Sequence, residues 1–167
     1  MISRATTFFA SAVMAALFGA ALLAPSPSYS QRGTNPFAGF AGAWNGNGTI
    51  TLSSGAREGI RCRATYATES GSGIRLEMRC ASASYRFELQ SSLTYSDGAV
   101  SGTWNESAHG AAGTISGSVS GNTISLRASG QTFTALMSIS TNGSRQTISI
   151  QSPGSELSSV SISMSKG

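Results

Sequence analysis

From Trp44 to Met164 apolar and polar residues alternate in short runs, and turn-forming residues separate one run from the next. Period two is the mark of a half-buried strand, and no stretch of this region keeps a helical period long enough to compete. Ten runs are predicted as strands: Trp44–Leu52, Gly59–Tyr66, Ile74–Ala81, Ser84–Tyr95, Val100–Glu106, Gly113–Val119, Thr123–Ala128, Phe133–Ile139, Gln146–Gln151 and Val160–Met164. Ten is an upper count, since neighbouring runs can merge. Asp97-Gly98, Gly121-Asn122 and Asn142-Gly143 are residue types that tolerate positive φ, as tight hairpins require, so neighbouring strands should pair antiparallel.

One phase of the alternation is dry and the other wet. Ile60, Cys62, Ala64 and Tyr66 share one face of their strand; Ile74, Leu76, Met78 and Cys80 do so on the next, and Tyr85, Phe87 and Leu89 continue the pattern. The opposite phase of the same strands carries Arg61, Arg63, Arg75, Glu77, Arg79, Arg86 and Glu88. Later strands repeat the scheme with Ser and Thr filling most of the outer phase. A long meander with one dry face is most simply satisfied by closing on itself, because closure removes the edges. The expected fold is all-β: an antiparallel up-and-down meander of 8 to 10 strands closed into a barrel, with a two-sheet β-sandwich as the alternative.

Ahead of the alternation lies a different kind of sequence. Arg4 precedes an almost wholly apolar run from Phe8 to Ala24, followed by Pro25-Ser26-Pro27 and by small residues at Ser28 and Ser30. This is the layout of a cleaved signal peptide, residues 1–30; the alternative is a single membrane anchor. No cysteine follows the run, which argues against a lipid anchor. Residues 31–40 read as a flexible leader in which Phe37 and Phe40 are available to dock. Residues 41–167 read as a single β-barrel domain, the 137 residues after Ser30 being one domain's worth of chain. Export to the periplasm or beyond it places Cys62 and Cys80 in an oxidising compartment, where a disulfide closing a loop of about 18 residues is the default. With Arg4 removed, ten Lys plus Arg stand against seven Asp plus Glu, and Lys166 is the one lysine. So diffuse a charge gives no indication of nucleic acid. A monomer with no membrane span after cleavage is expected.

Gly42-Ala43-Trp44 opens the first strand, and Gly102-Thr103-Trp104-Asn105 repeats its core sixty residues on. The first copy resembles the Gly-x-Trp signature of the calycin barrels, the lipocalins and avidin-like proteins. That resemblance covers one tripeptide and a meander of suitable length, and it implies a barrel with an indole packed across one end. Lipocalins add a Thr-Asp-Tyr motif near mid-chain and a late arginine that stacks on the tryptophan. Here Leu93-Thr94-Tyr95-Ser96-Asp97 holds the first set of residue types in another order, and Arg127 or Arg145 is available for the second. The repeat reads either as an internal duplication into two half-barrels or as coincidence, and both tryptophans are expected as core plugs. In leader and size the chain otherwise resembles small exported bacterial proteins.

Few residues suit catalysis. His109, the only histidine, falls in the glycine-rich turn ESAHGAAG three residues after Glu106, and no Gly-x-Ser-x-Gly elbow is placed between a strand and a helix. It reads as an exposed loop histidine. Glu77 and Glu88 interleave with arginines and read as cross-strand ion pairs rather than as paired catalytic acids. One histidine and two cysteines cannot assemble a structural zinc set, and no nucleotide-binding glycine motif occurs. The expectation is a non-enzyme without cofactor or metal.

Two binding features stand out instead. In the dry phase Tyr66, Met78, Phe87, Phe133 and Met137 are candidates to line an interior site, with Gly102, Gly117, Ala128 and Ala135 leaving room for a small apolar or amphipathic ligand. In the wet phase Arg61, Arg63, Arg75, Arg79 and Arg86 form a guanidinium-rich face able to grip carboxylate or phosphate. The first feature points to an exported ligand-binding barrel. The second supports the alternative, a cell-envelope interaction or inhibitor-type protein that holds an anionic glycan, a lipid headgroup or another protein. Small periplasmic one-disulfide barrels that inhibit lysozymes are similar in size.

Overall fold

The structure is a computed structural model that describes residues 35–167; the signal-peptide reading of residues 1–30 lies outside the described residues. Ten strands follow one another: β1 (Gly42–Leu52), β2 (Arg57–Glu69), β3 (Gly73–Ala81), β4 (Arg86–Ser96), β5 (Ala99–Glu106), β6 (Ala111–Ser120), β7 (Thr123–Gly130), β8 (Thr134–Asn142), β9 (Arg145–Gln151) and β10 (Leu157–Lys166). Each pairs antiparallel with its sequence neighbours, and β1 pairs with β10 from Trp44↔Lys166 to Leu52↔Leu157, so the sheet closes into a barrel. All ten expected runs are strands, and the closed meander replaces the sandwich alternative.

The connections differ between the barrel's two ends. At one end they are tight, two residues at 97–98, 121–122 and 143–144 and three at 70–72. Asp97 and Gly98 have φ of 51° and 87°, the left-handed pair that a type I′ hairpin needs. At the other end the connections run from three residues, 131–133, to five, 152–156. Short turns pull strand ends together, whereas longer ones leave them apart.

The dry phase points inward as the alternation requires. In β3 the pattern runs Ile74, Leu76, Met78 and Cys80 buried against Arg75, Glu77, Arg79 and Ala81 exposed. Cys62 and Cys80 are direct cross-strand partners and are joined by a disulfide that spans 18 positions of the chain. Outside, the strands carry Ser, Thr and Arg, the reverse of the apolar-out pattern of transmembrane barrels. No helix among the described residues is long and apolar enough to cross a membrane.

Two glycines credited with leaving interior room have another reason to be small. A Cβ on Gly102 would lie 2.0 Å from the Ser92 carbonyl oxygen, and one on Gly117 would lie 2.1 Å from that of Ser125. Neighbouring backbone already occupies that space. These glycines permit close strand approach in a tightly coiled sheet and contribute no volume to the lumen.

Candidate functional site

The tight-turn end is plugged. Residues 36–40 form a turn that brings Phe37 and Phe40 into full burial, and Trp44 at the start of β1 packs beneath them. The Trp44 indole donates to the Phe40 carbonyl at 2.8 Å. Lys166 Nζ lies 5.4 Å from the Trp44 ring centroid, so the cation over this tryptophan is Lys166, not Arg127 or Arg145. Below the plug, the Tyr66 hydroxyl donates to Gln146 Oε1 at 3.0 Å and Gln146 Nε2 donates to Thr141 Oγ1 at 3.1 Å. Burial pushes the Tyr66 phenol well above the usual tyrosine range, against a lesser opposite pull from Gln146, so Tyr66 stays a neutral donor.

Above this floor the barrel interior divides in two. On the β1–β3 and β10 side Ile50, Ile60, Met78, Val160 and Ile162 fill the space, leaving only about 20 Å³. Towards β4–β8 a cavity of about 270 Å³ remains, walled by apolar groups from Tyr66, Leu89, Trp104, Leu126, Ala135 and others. Of the five interior residues expected from the sequence, Tyr66, Phe87, Phe133 and Met137 line this cavity. Met78 does not; it is packed on the filled side. Ala128 and Ala135, direct partners across β7 and β8, do provide room in the wall.

The cavity reaches the long-loop end, where residues from the β5–β6, β7–β8 and β9–β10 connections contribute to its wall. Trp104 belongs to this end. It lines the cavity, packs against Phe133 with ring centroids 5.5 Å apart and planes tilted by 52°, and its Nε1 is buried with no acceptor among the described residues. Trp104 is thus a wall of the space rather than a plug.

Glu106 is the residue that reading for motifs passes over. It follows Trp104 by two positions in the inward phase of β5 and is only 4% exposed. An acid in an apolar phase was the available signal. Its carboxylate accepts from the backbone N–H of Glu88, Ala108 and His109 at 2.8, 3.1 and 2.9 Å. Its Oε2 also lies 2.7 Å from His109 Nδ1. Burial alone would raise the carboxyl, but these hydrogen bonds, led by that from Glu88 N–H, outweigh it and hold Glu106 below the usual carboxylate range. His109 is exposed as expected, yet its ring is oriented by Glu106 and sits 6.5 Å from Phe87 at the cavity rim.

On the outer wall the arginines separate into two groups. Arg61, Arg63, Arg79 and Arg86 border one groove of about 730 Å³, together with Asn45, Asn47 and Glu88. Arg75 is not among them; it is bound to Glu69, with Nε 3.0 Å and Nη2 2.6 Å from Oε1. The cross-strand ion pairs expected of Glu77 and Glu88 do not form: Arg75–Glu69 is the one arginine–carboxylate salt bridge among the described residues. Glu88 instead accepts from the Ser107 hydroxyl at 3.2 Å. No cluster of His, Cys, Asp and Glu suited to a metal occurs among the described residues.

Comparison with known proteins places this geometry by shape. No family model and no curated protein matches the sequence. Among solved structures, the crystal structure of Rv2717c from M. tuberculosis superposes with a TM-score of 0.65 at 14% identity, over 78% of this chain and 94% of that one. The S-type phycobiliprotein lyase CPES from Guillardia theta follows with a TM-score of 0.57 at 11% identity, over 78% and 90% of the two chains. Likeness at such identity concerns the fold alone, and with the closed ten-stranded antiparallel meander it fits a calycin-like, lipocalin-type barrel fold.

Proposed function

We infer that this protein is an exported, non-enzymatic barrel that takes one small apolar or amphipathic molecule into its interior. The observation that carries the reading is the asymmetry of the lumen: one half filled, one end plugged, and an apolar cavity of about 270 Å³ left between β4–β8 and the long-loop rim. That volume lies near the lower end of ligand pockets, about 300 Å³, so the ligand is compact. Its apolar part would rest against Leu89, Leu126 and Met137, and any polar end would face the rim, where His109, Glu156 and Ser155 stand. The chain's disulfide and apolar leader support export to the periplasm or beyond it.

A catalytic reading has less support. The Glu106–His109 pair resembles an oriented base, but His109 makes no hydrogen bond to a hydroxyl among the described residues, so a nucleophile is missing. The lyase among the structural neighbours contributes shape only.

Two measurements test the carrier reading. Native mass spectrometry of protein purified from its host without detergent should show a bound small molecule. Titration with the uncharged probe N-phenyl-1-naphthylamine should saturate at one per chain, and Ala135→Trp, which fills the cavity, should abolish that binding while the fold persists by circular dichroism. Probe binding that does not saturate, or that Ala135→Trp leaves intact, would refute it.

A further inference from the structure

The outer groove carries a second site, independent of the cavity. We propose that the face formed by β1–β4 binds an acidic polysaccharide, its carboxylate or sulfate groups gripped by Arg61, Arg63, Arg79 and Arg86.

The argument starts from register. Arg63 and Arg79 are direct cross-strand partners, flanked by Arg61 two positions along β2 and by Arg86 across Ala81 on β4. Like charges placed directly opposite destabilise a sheet pair. Elsewhere on the outer wall Arg75 is neutralised by an ion pair with Glu69. None of the four makes a salt bridge: Glu88, directly across from Arg79 on β4, accepts from the Ser107 hydroxyl instead, so four arginines stand against one acid at this groove. The remaining excess of positive charge is what an anion would neutralise.

The disulfide makes the arrangement rigid. Cys62 sits between Arg61 and Arg63, and Cys80 lies next to Arg79, so the covalent link fixes the register of the two strands that carry the opposed pair. The four guanidinium groups therefore stand on a preorganised platform, which lowers the ordering cost of binding. Guanidinium is also the group suited to bidentate contact with planar or tetrahedral oxyanions.

The surroundings choose the occupant. Asn45 and Asn47 border the groove on β1, and their partners on β10 are Ser165 and Ser163, so the basic strip continues into amide and hydroxyl groups suited to sugar hydroxyls. Leu136 is the one large hydrophobic residue exposed among the described residues, and it lies on β8, well away around the barrel. A bilayer or a protein hot spot would need apolar anchors beside the charges. This face has none.

The test uses polygalacturonate and dextran sulfate as probes, with neutral dextran, phosphatidylglycerol vesicles and single-stranded DNA as competitors, in about 0.15 M salt where surface charge is screened beyond about 8 Å. Binding to at least one acidic polysaccharide is expected, and Arg63→Ala/Arg79→Ala should weaken it about tenfold or more. Arg127→Ala/Arg145→Ala removes the same charge elsewhere and should change it less than about threefold. The first variant should also melt no lower than the parent, because it relieves a like-charge pair. Cys62→Ser/Cys80→Ser should weaken polysaccharide binding if the platform matters. Equal losses in both arginine variants, no polysaccharide binding, or tighter binding to vesicles or DNA would each overturn the proposal. None of these outcomes bears on the cavity, which the naphthylamine titration reports separately.

Discussion

The two Gly-x-Trp copies, alike in sequence, sit at opposite ends of the barrel and do opposite things. At the tight-turn end Trp44 is sealed under Phe37 and Phe40, with its indole donor satisfied by Phe40 and Lys166 over its ring. Near the long-loop end Trp104 faces a cavity and its donor has no acceptor among the described residues. Even the glycines differ in purpose. Gly42 has φ of 118°, where an L side chain is strained, and a Cβ there would lie 2.8 Å from Lys166 Cε. Gly102 has no such φ, and its Cβ would strike the Ser92 carbonyl oxygen instead. Similar tripeptides at different depths, with different reasons for each glycine, speak for coincidence over duplication. One end of this barrel is plugged, and the apolar cavity reaches the other.

The sharpest way to break that contrast is to truncate each indole. Trp44→Ala should cost about 3–5 kcal/mol, as full removal of a buried aromatic does, whereas Trp104→Ala should cost about 2–3 kcal/mol because its ring already borders empty space. Urea unfolding of the two variants decides it; equal costs would mean the ends are not energetically distinct. A smaller effect is expected of Tyr66→Phe, which strands Gln146 Oε1 in the buried floor and should cost about 1–3 kcal/mol. Hydrogen exchange should then rise first at the plugged end, in 36–44 and 141–146.

Acid should act on the other end. Glu106 has a folded-state affinity for protons below that of the unfolded chain, so its contribution to stability is complete above the ordinary carboxylate value of 4.5 and is lost as pH falls through the lower folded value. The loss should appear as faster exchange in the 107–110 loop below about pH 4.5, with Glu106→Gln showing the same loop opening at neutral pH. The plug residues, which include no shifted carboxylate, should stay protected over that range. Uniform acid opening of both ends would count against the local role given to Glu106.

How much of this could be read beforehand follows from what alternation encodes. Period two assigns a side chain to a face, so the ten strands, the closed meander and the Cys62–Cys80 pairing were all legible. It says nothing about where around the barrel a residue lies. Met78 and Met137 share the inward phase, yet one is packed among Ile60 and Val160 and the other borders the cavity. Likewise Arg75 shares the outward phase of Arg79 but lies where Glu69, near the β2–β3 turn, can reach it. Glu106 was visible as an acid in an apolar phase; that it would gather three backbone N–H groups depended on the loop that follows it. Depth and azimuth come from shear and closure, which one chain's alternation does not carry.

The smallest test concerns what holds the plug in place. Lys166 is exposed, so its position over Trp44 is worth only about 0.5–1 kcal/mol. The Gly167 N–H beside it bonds to the Ala43 carbonyl of β1, a backbone contact that substitution of Lys166 leaves alone. Lys166→Ala therefore removes the cation and its stem while preserving the closure of β10 on β1. A stability loss under about 1 kcal/mol is expected, with Lys166→Arg restoring it because guanidinium also lies well on an aromatic face. If Arg does not restore what Ala removes, the stem's packing over Gly42, not the charge, is what matters. In that case the glycine of the first Gly-x-Trp is there to seat an aliphatic chain, and its counterpart at residue 102 shares only its letter.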